Sequence, residues 1–350
     1  MKKSKQILQV AVLGAGHFAN KTHIPNLLEI ENVNILAICD INFDSARKTG
    51  AEFCIPHCFQ SADKMLEDLE FDILFSVIPA HMRTNTEILA AKKGIHLFIE
   101  KPQAIDFQIA VQIDNAIKEN NVLSTVGFRE RYRPIFQVAQ RMLENKKIVH
   151  IEFALYQNLP KKKIDGTLLN WRYRMETGGF SAFDWGGHAI DLVRYVSGLN
   201  LKKVQAFFVN NPKYETPLSC CFQYAFSTGA TLTTHFISST PHSPFINTRC
   251  PISQRIGGVF RIFYEGGYMI IHGYDHIEMN REIVYKSEPS DPWLSQCKTF
   301  INAVQFESSK GLKNDYYDGL FSLAPVLAGW ESANTGGKLM DIGLFMKKFI

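Results

Sequence analysis

The chain has 350 residues, 46% hydrophobic and 21% charged, which is enough for two ordinary domains and too short of long apolar runs for a membrane protein. Its formal charge is only +4, with no long basic arm, so the electrostatic footprint of a nucleic-acid binder is missing. Seven cysteines, an odd number without repeating spacing, suit free thiols in a reducing compartment better than a disulfide framework, and the expected location is cytoplasmic.

The basic start followed by an apolar run has the outline of a secretory signal, but the apolar core is short and Gln9 interrupts it. Leu8 to Leu13 serves better as a buried first strand. It ends in Gly14-Ala15-Gly16-His17-Phe18-Ala19, the G-x-G-x-x-A pattern of a strand turning sharply into a helix. Missing side chains at Gly14 and Gly16 let the backbone approach a pyrophosphate seated on the helix N-terminus. A second run, Ile35 to Cys39, ends in Asp40, which lies 21 residues beyond Ala19, where a carboxylate meets the ribose hydroxyls of NAD. Ile41 and Asn42 follow, with no Arg or Lys for a 2′-phosphate, so NAD is expected over NADP.

Further strand and helix units follow: Ile73 to Ile78 with a helix to Lys93, His96 to Glu100 with a helix from Asp106, and a strand over Leu123 to Gly127. Asp106 is the expected N-cap, and Ala110, Ile113 and Ile117 the buried face. This alternation predicts a parallel, doubly wound sheet and a dinucleotide-binding Rossmann domain over residues 1–127. Lys101, at the carboxyl end of its strand and before Pro102, stands where ligands bind in such sheets.

After a helix from Pro134 to about Glu144, the pattern changes. Ile148 to Tyr156 alternates, and Val204 to Phe208, Cys220 to Phe226, Thr231 to Ile237, Phe260 to Tyr264 and Tyr268 to Ile271 read as strands between turn signals. An open, mostly antiparallel sheet is expected in a second, α+β domain over 128–350. One face would be covered by the helix containing Asp184 to Val196, the other by a second subunit. That helix carries Asp184, His188 and Asp191 at i, i+4 and i+7, within an arc of about 60°. Ser290 to Phe306 and Asp315 to Thr335 are expected closing helices, the second interrupted by Pro325 and stopped by Gly336-Gly337.

The G-x-G-x-x-A turn, His23-Ile24-Pro25, Glu100-Lys101-Pro102, Val126-Gly127-Phe128 with Arg131-Tyr132 and Pro134, Trp171-Arg172, and Gly178-Gly179 leading into Asp184-x-Gly186-x-His188-x-x-Asp191 arrive in order along the chain. Together they resemble the glucose-fructose oxidoreductase, inositol dehydrogenase and rhizopine-catabolism (Gfo/Idh/MocA) family. The resemblance implies a Rossmann domain plus an open-sheet domain used for dimer or tetramer contacts. It also implies NAD(P)-dependent redox chemistry at a carbinol carbon of a sugar, cyclitol or related compound. The cofactor contacts it implies are Gly14, Gly16, His17, Phe18, Ala19, Asp40, Ile78, Pro79, His81, Glu100 and Lys101.

The family's catalytic set carries over onto Lys101, Asp184 and His188. Oxidising an alcohol requires a base within hydrogen-bond reach of the hydroxyl. His188 is the expected base, because an imidazole titrates near neutral pH. Lys101 is expected to stabilise developing alkoxide charge and Asp184 to orient substrate or imidazole; Asp191 is expected to fix local structure.

Two departures from the pattern stand out. Four residues after Pro79, where the family often has His, this chain has Arg83, and where many members have Asn after Gly-Phe it has Arg129, followed by Arg131 and Arg133. Arginines near a pocket can grip carboxylate or phosphate, so an anionic substrate such as a sugar acid or nucleotide-linked sugar is expected, with Arg83, Arg129, Arg131, Trp171 and Arg172 as contacts. Cys54, His57 and Cys58 lack a separate second ligand pair, and no metal is expected. Two alternatives to a dehydrogenase are a glycosidase that uses NAD transiently and a ligand-sensing regulator; the presence of Lys101, Asp184 and His188 speaks against the second.

Overall fold

Every residue of Leu8–Leu13 but Gln9 is buried, a burial that suits an inner strand covered on both faces. The computed structural model describes residues 7–162, 170–171, 174–240 and 258–349. In chain order the elements are β1 (Leu8–Leu13), a π-helical turn over Ala19–His23 running into α1 (Ile24–Leu28), β2 (Val33–Cys39), α2 (Phe43–Phe53), β3 (His57–Phe59) and α3 (Ala62–Asp68). Then come β4 (Ile73–Ser76), α4 (Thr86–Lys92), β5 (His96–Ile99), α5 (Phe107–Glu119), β6 (Ser124–Val126), α6 (Pro134–Leu143), β7 (Ile148–Asn158) and α7 (Ser181–Ser197). The remainder is β8 (Leu201–Val209), β9 (Ser219–Phe226), β10 (Thr231–Thr240), β11 (Gly258–Tyr264), β12 (Gly267–His272), β13 (His276–Met279), β14 (Glu282–Lys286), α8 (Pro292–Gln305), α9 (Tyr316–Asn334), β15 (Met340–Asp341) and α10 (Ile342–Lys347).

The chain packs as two units: Met1–Tyr132 with Asp291–Leu320, and Arg133–Ser290 with Phe321–Ile350. In the first, the sheet order is β3-β2-β1-β4-β5-β6, all parallel. Strand order reverses between β1 and β4, which opens a crevice at their carboxyl ends. Asp106, the expected N-cap, accepts from Gln108 N, and side-chain caps also start α2 and α3, where Asn42 accepts from Ser45 N and Ser61 from Lys64 N. The core joins β1, β4 and β5 to Cys297, Phe300, Ile301 and Val304 of α8.

In the second unit a sheet of nine described strands runs β14-β13-β12-β11-β7-β10-β9-β8-β15. Only β10 and β7 pair in parallel; the other neighbours are antiparallel. Phe153, Phe222, Phe236, Phe260 and Ile262 are buried, and the alternate positions Gln223, Arg261 and Phe207 are exposed. Gly329 of α9 lies flush on Phe222, where a Cβ would sit 2.6 Å from the ring. The expected interruption at Pro325 is absent: α9 runs through it. Ala324 and Ala328 are both 0% exposed, so the helix is tightly packed where Pro325 lacks a backbone donor. The periodic pattern also passed over β13, β14 and β15; of β14's five residues only Tyr285 is even partly buried. The described cysteines, Cys39, Cys54, Cys58, Cys220, Cys221 and Cys297, are free thiols. No described helix is long and apolar enough to cross a membrane.

Candidate active site

The first unit builds a dinucleotide cradle at the end of β1. Gly14 has φ +101°, and a Cβ there would stand 2.5 Å from the Val77 carbonyl oxygen and 3.1 Å from Ile78 Cγ2. Only glycine fits this conformation and this approach to the chain leaving β4. At Gly16 the situation is opposite: a Cβ would meet no protein atom within 4 Å. The bare backbone faces open space, as a cradle for pyrophosphate requires.

The Asp40 carboxylate is pinned beside this turn. Oδ2 accepts from Ala15 N at 2.8 Å and Oδ1 from Asn42 N at 2.8 Å, so the group is oriented before any ribose arrives. His17 is exposed, Phe18 is half-buried and Ala19 is buried. Ile78, Pro79 and His81 line the chain after β4, partly exposed. These residues fit NAD, because the glycines leave room and the acid is held.

Glu100 and Lys101 follow β5. Glu100 is 6% exposed; its Oε1 lies 2.9 Å from His23 Nε2 and its Oε2 accepts from Lys101 N at 3.1 Å. Gly127 is needed there too, since a Cβ would come within 2.5 Å of Glu100 Oε1. His23 is enclosed by the rings of Phe18, Phe75 and Phe98. This buried pair joins residues 77 apart in sequence, and no local pattern could have disclosed it. The Lys101–Pro102 peptide is cis.

In the second unit, α7 carries the two acids and the imidazole expected on one stripe. Asp184 is half-buried in the first turn, where the helix dipole favours a carboxylate. His188 is 5% exposed, and its ring lies 5.4 Å from that of Trp185. Asp191 is 1% exposed and accepts from Ser322 Oγ at 3.1 Å, while Arg194 Nη1 donates to the same hydroxyl at 2.7 Å. Asp191 therefore joins α7 to α9. Trp171 is half-buried, and its carbonyl accepts from Thr177 Oγ1 at 2.7 Å.

The arginines correct an expectation. Arg83 and Arg131, expected to grip an anionic substrate, are committed inside the first unit. Arg83 is 3% exposed and donates to Pro102 O at 2.8 Å, with Glu87 3.4 Å from its Nε. Arg131 donates to Lys313 O at 2.6 Å and pairs with Asp318 at 2.6 Å. Both are held by acceptors within the unit, as a guanidinium out of water requires. Arg129 lies over the Trp293 ring at 4.9 Å and 3.1 Å from Glu130. Arg172 lies outside the described residues. Cys58 Sγ donates to Ala46 O at 3.6 Å, Cys54 and His57 are exposed, and no described group of three His, Cys, Asp or Glu converges as metal ligands.

Comparison with known proteins matches residues 8–128 to an oxidoreductase family with an NAD-binding Rossmann fold, and residues 136–259 to the Gfo/Idh/MocA C-terminal domain. Among curated relatives, a scyllo-inositol 2-dehydrogenase (NAD(+)) of Bacillus subtilis is 25% identical over 215 residues, 59% of this chain and 60% of that protein. A myo-inositol 2-dehydrogenase of Thermotoga maritima is 22% identical over 201 residues, 57% of this chain and 58% of its own length. The matched stretches thus span under two thirds of either relative. Among solved structures, the WlbA dehydrogenase of Bordetella pertussis in complex with NADH and UDP-GlcNAcA superposes with a TM-score of 0.80 at 19% identity, covering 97% of this chain and 99% of that one.

Proposed function

Because this chain belongs to the Gfo/Idh/MocA oxidoreductase family, whose N-terminal domain is an NAD-binding Rossmann fold, we propose that it is an NAD-dependent dehydrogenase acting on a carbinol carbon of a sugar or cyclitol. The observation that carries this reading is the cradle of Gly14, Gly16 and the pinned Asp40, with Lys101 at the carboxyl end of a strand in the same sheet. Neutral substrates are favoured over sugar acids, because Arg83 and Arg131 are already spent on internal acceptors.

Gly14, Gly16, Asp40 and the segment Ile78 to His81 would hold the cofactor, which when bound supplies the acceptor for hydride from the carbinol carbon. His188 takes the hydroxyl proton as that carbon is oxidised, and Lys101 donates to the oxygen as negative charge develops on it. Asp184 orients the imidazole or a substrate hydroxyl. The exposed face of the nine-stranded sheet, with Phe207 and Val209 each 57% exposed, is the proposed self-association surface.

The test follows NAD reduction by the purified protein with myo-inositol, scyllo-inositol, levoglucosan, glucose and their sugar-acid counterparts. At least one neutral polyol should be oxidised with net NADH formation, and Lys101→Met or His188→Asn should lower kcat by about 10²- to 10⁴-fold. Hydrolysis of a glycoside without net NADH would replace this reading with transient redox chemistry. NAD binding with no turnover of any kind would leave a ligand-sensing role.

A further inference from the structure

The reactive ammonium assigned to Lys101 sits on an irregular turn, and such a turn needs an explanation for its fixed shape. Its neighbours in sequence are gripped one after another by buried groups of the first unit. Glu100 is fastened to His23 and receives the Lys101 amide. The Pro102 carbonyl receives Arg83 Nη1 at 2.8 Å. Gln103 is 1% exposed and donates to Tyr316 O at 2.9 Å.

Arg83 is the unusual member. Its side chain and that of Glu87 are both 0% exposed, and Ser76 Oγ donates to Glu87 Oε1 at 2.6 Å. The guanidinium also reaches Ser76 O at 3.4 Å, so a single side chain ties the last residue of β4 to the residue after Lys101. Burial lowers the Arg83 pKa and the Glu87 charge opposes that. A buried ion pair contributes little net stability, because desolvation cancels most of the attraction. Its geometry, by contrast, is highly specific: a planar fork holding a carbonyl and a carboxylate cannot be reproduced by a lysine.

We propose that Arg83 is a positioning residue for catalysis, fixing Lys101 by holding the Pro102 carbonyl against β4. The proposal rests on the assignment of Lys101 to the reacting oxygen, and its test keeps the two separable. Two variants serve: Arg83→Lys, which keeps the charge but not the fork, and the double change Arg83→Met with Glu87→Met, which removes both buried charges together and so leaves neither unpaired. The first readout needs no substrate. The full-length protein is acetylated with acetic anhydride across a pH series, and modification of Lys101 is measured by mass spectrometry against exposed Lys48. Arg83 variants that retain NAD affinity within about threefold should shift the Lys101 profile and raise its relative reactivity several-fold, while Lys48 stays unchanged. The second readout is oxidation of the polyol selected above. Here kcat should fall about 10- to 100-fold, the cost of a misplaced group, KM should change less than about threefold, and the primary deuterium isotope effect on kcat should increase.

A merely structural role would lower the active fraction and leave the acetylation profile and isotope effect where they were. Should Arg83→Lys fail to fold, the double variant decides. A folded, NAD-binding variant of either kind with wild-type Lys101 reactivity and kcat overturns the proposal. A fully active Lys101→Met protein overturns the reading it rests on, whatever the Arg83 variants do.

Discussion

Gly14 and Gly16 lie two residues apart and do different work, which makes them separable by experiment. Alanine at Gly14 must adopt φ +101° and place its Cβ 2.5 Å from a backbone oxygen that cannot swing away. The expected outcome of Gly14→Ala is a loss of about 1–3 kcal/mol in stability together with NAD binding. Alanine at Gly16 meets no protein atom within 4 Å, so Gly16→Ala should unfold at or slightly above the wild-type temperature, since the unfolded chain loses freedom. NAD affinity should nevertheless drop, because the new methyl occupies the space kept for pyrophosphate. Calorimetry paired with NAD titration reads both effects. Equal stability losses in the two variants, or undiminished NAD affinity in Gly16→Ala, would contradict this division. The sharp turn that needs Gly14 was legible in the sequence because it depends on local backbone geometry, while the cofactor roles proposed for Gly16 and Asp40 rest on fixed spacing. Arg83 and Arg131 were misread because an arginine near a pocket reads as a grip on an anionic ligand unless its internal partners are known. For Arg83 one partner, Glu87, stood four residues away, but two acceptors, Ser76 O and Pro102 O, lay seven and 19 residues off.

At the scale of elements, β5 and β6 show how a strand can carry a titratable group inward. His96 opens β5, and its Nδ1 accepts from Leu123 N at 2.9 Å, a bond that requires the neutral ring. Burial lowers its pKa from the ordinary 6.5, partly opposed by Asp72 and Glu307. Between that lowered value and 6.5 the unfolded chain binds more protons than the folded one, so stability rises with pH through this window and is flat above it. As pH falls below 6.5, the contribution should be lost with a slope of at most about 1.4 kcal/mol per pH unit. His96→Asn keeps an acceptor for Leu123 N and removes the titration, so its denaturation midpoint should vary less between pH 7 and 5 than that of the wild type. Parallel slopes for the two proteins would assign the effect elsewhere. Strands such as β1 and β7 were readable because burial writes a continuous or alternating apolar pattern into them. β14 was not, because Glu282, Ile283 and Val284 are all exposed and leave no periodicity to detect. The π-helical turn over Ala19–His23 likewise ends on His23, whose contact with Glu100 is invisible to local propensity.

The largest departure from a linear reading concerns the whole chain. One boundary after residue 127 divides the sequence into two consecutive stretches, whereas Asp291–Leu320 packs with Met1–Tyr132. The cause is apolar. Phe300 of α8 lies 5.8 Å from the Phe98 ring and 6.3 Å from Phe75, which themselves stack at 4.5 Å. Polar contacts fix the register of this return: Gln296 and Asn314 both donate to Val126 O, at 2.8 and 2.9 Å, and Asn32 donates to Gln305 at 2.7 Å. Without the segment, Phe75, Phe98 and Ile24 lose one wall of their core and several buried acceptors lose their donors. A fragment of residues 1–132 should therefore be loosely packed, prone to aggregate and weak in NAD binding. The same fragment joined by a flexible glycine-serine linker to residues 291–320 should unfold cooperatively and bind NAD. In the full chain, Phe300→Ala should cost about 3–5 kcal/mol without touching the cradle. If residues 1–132 alone unfold cooperatively with NAD affinity equal to that of the joined fragment, α8 is a covering and not part of the nucleotide-binding unit.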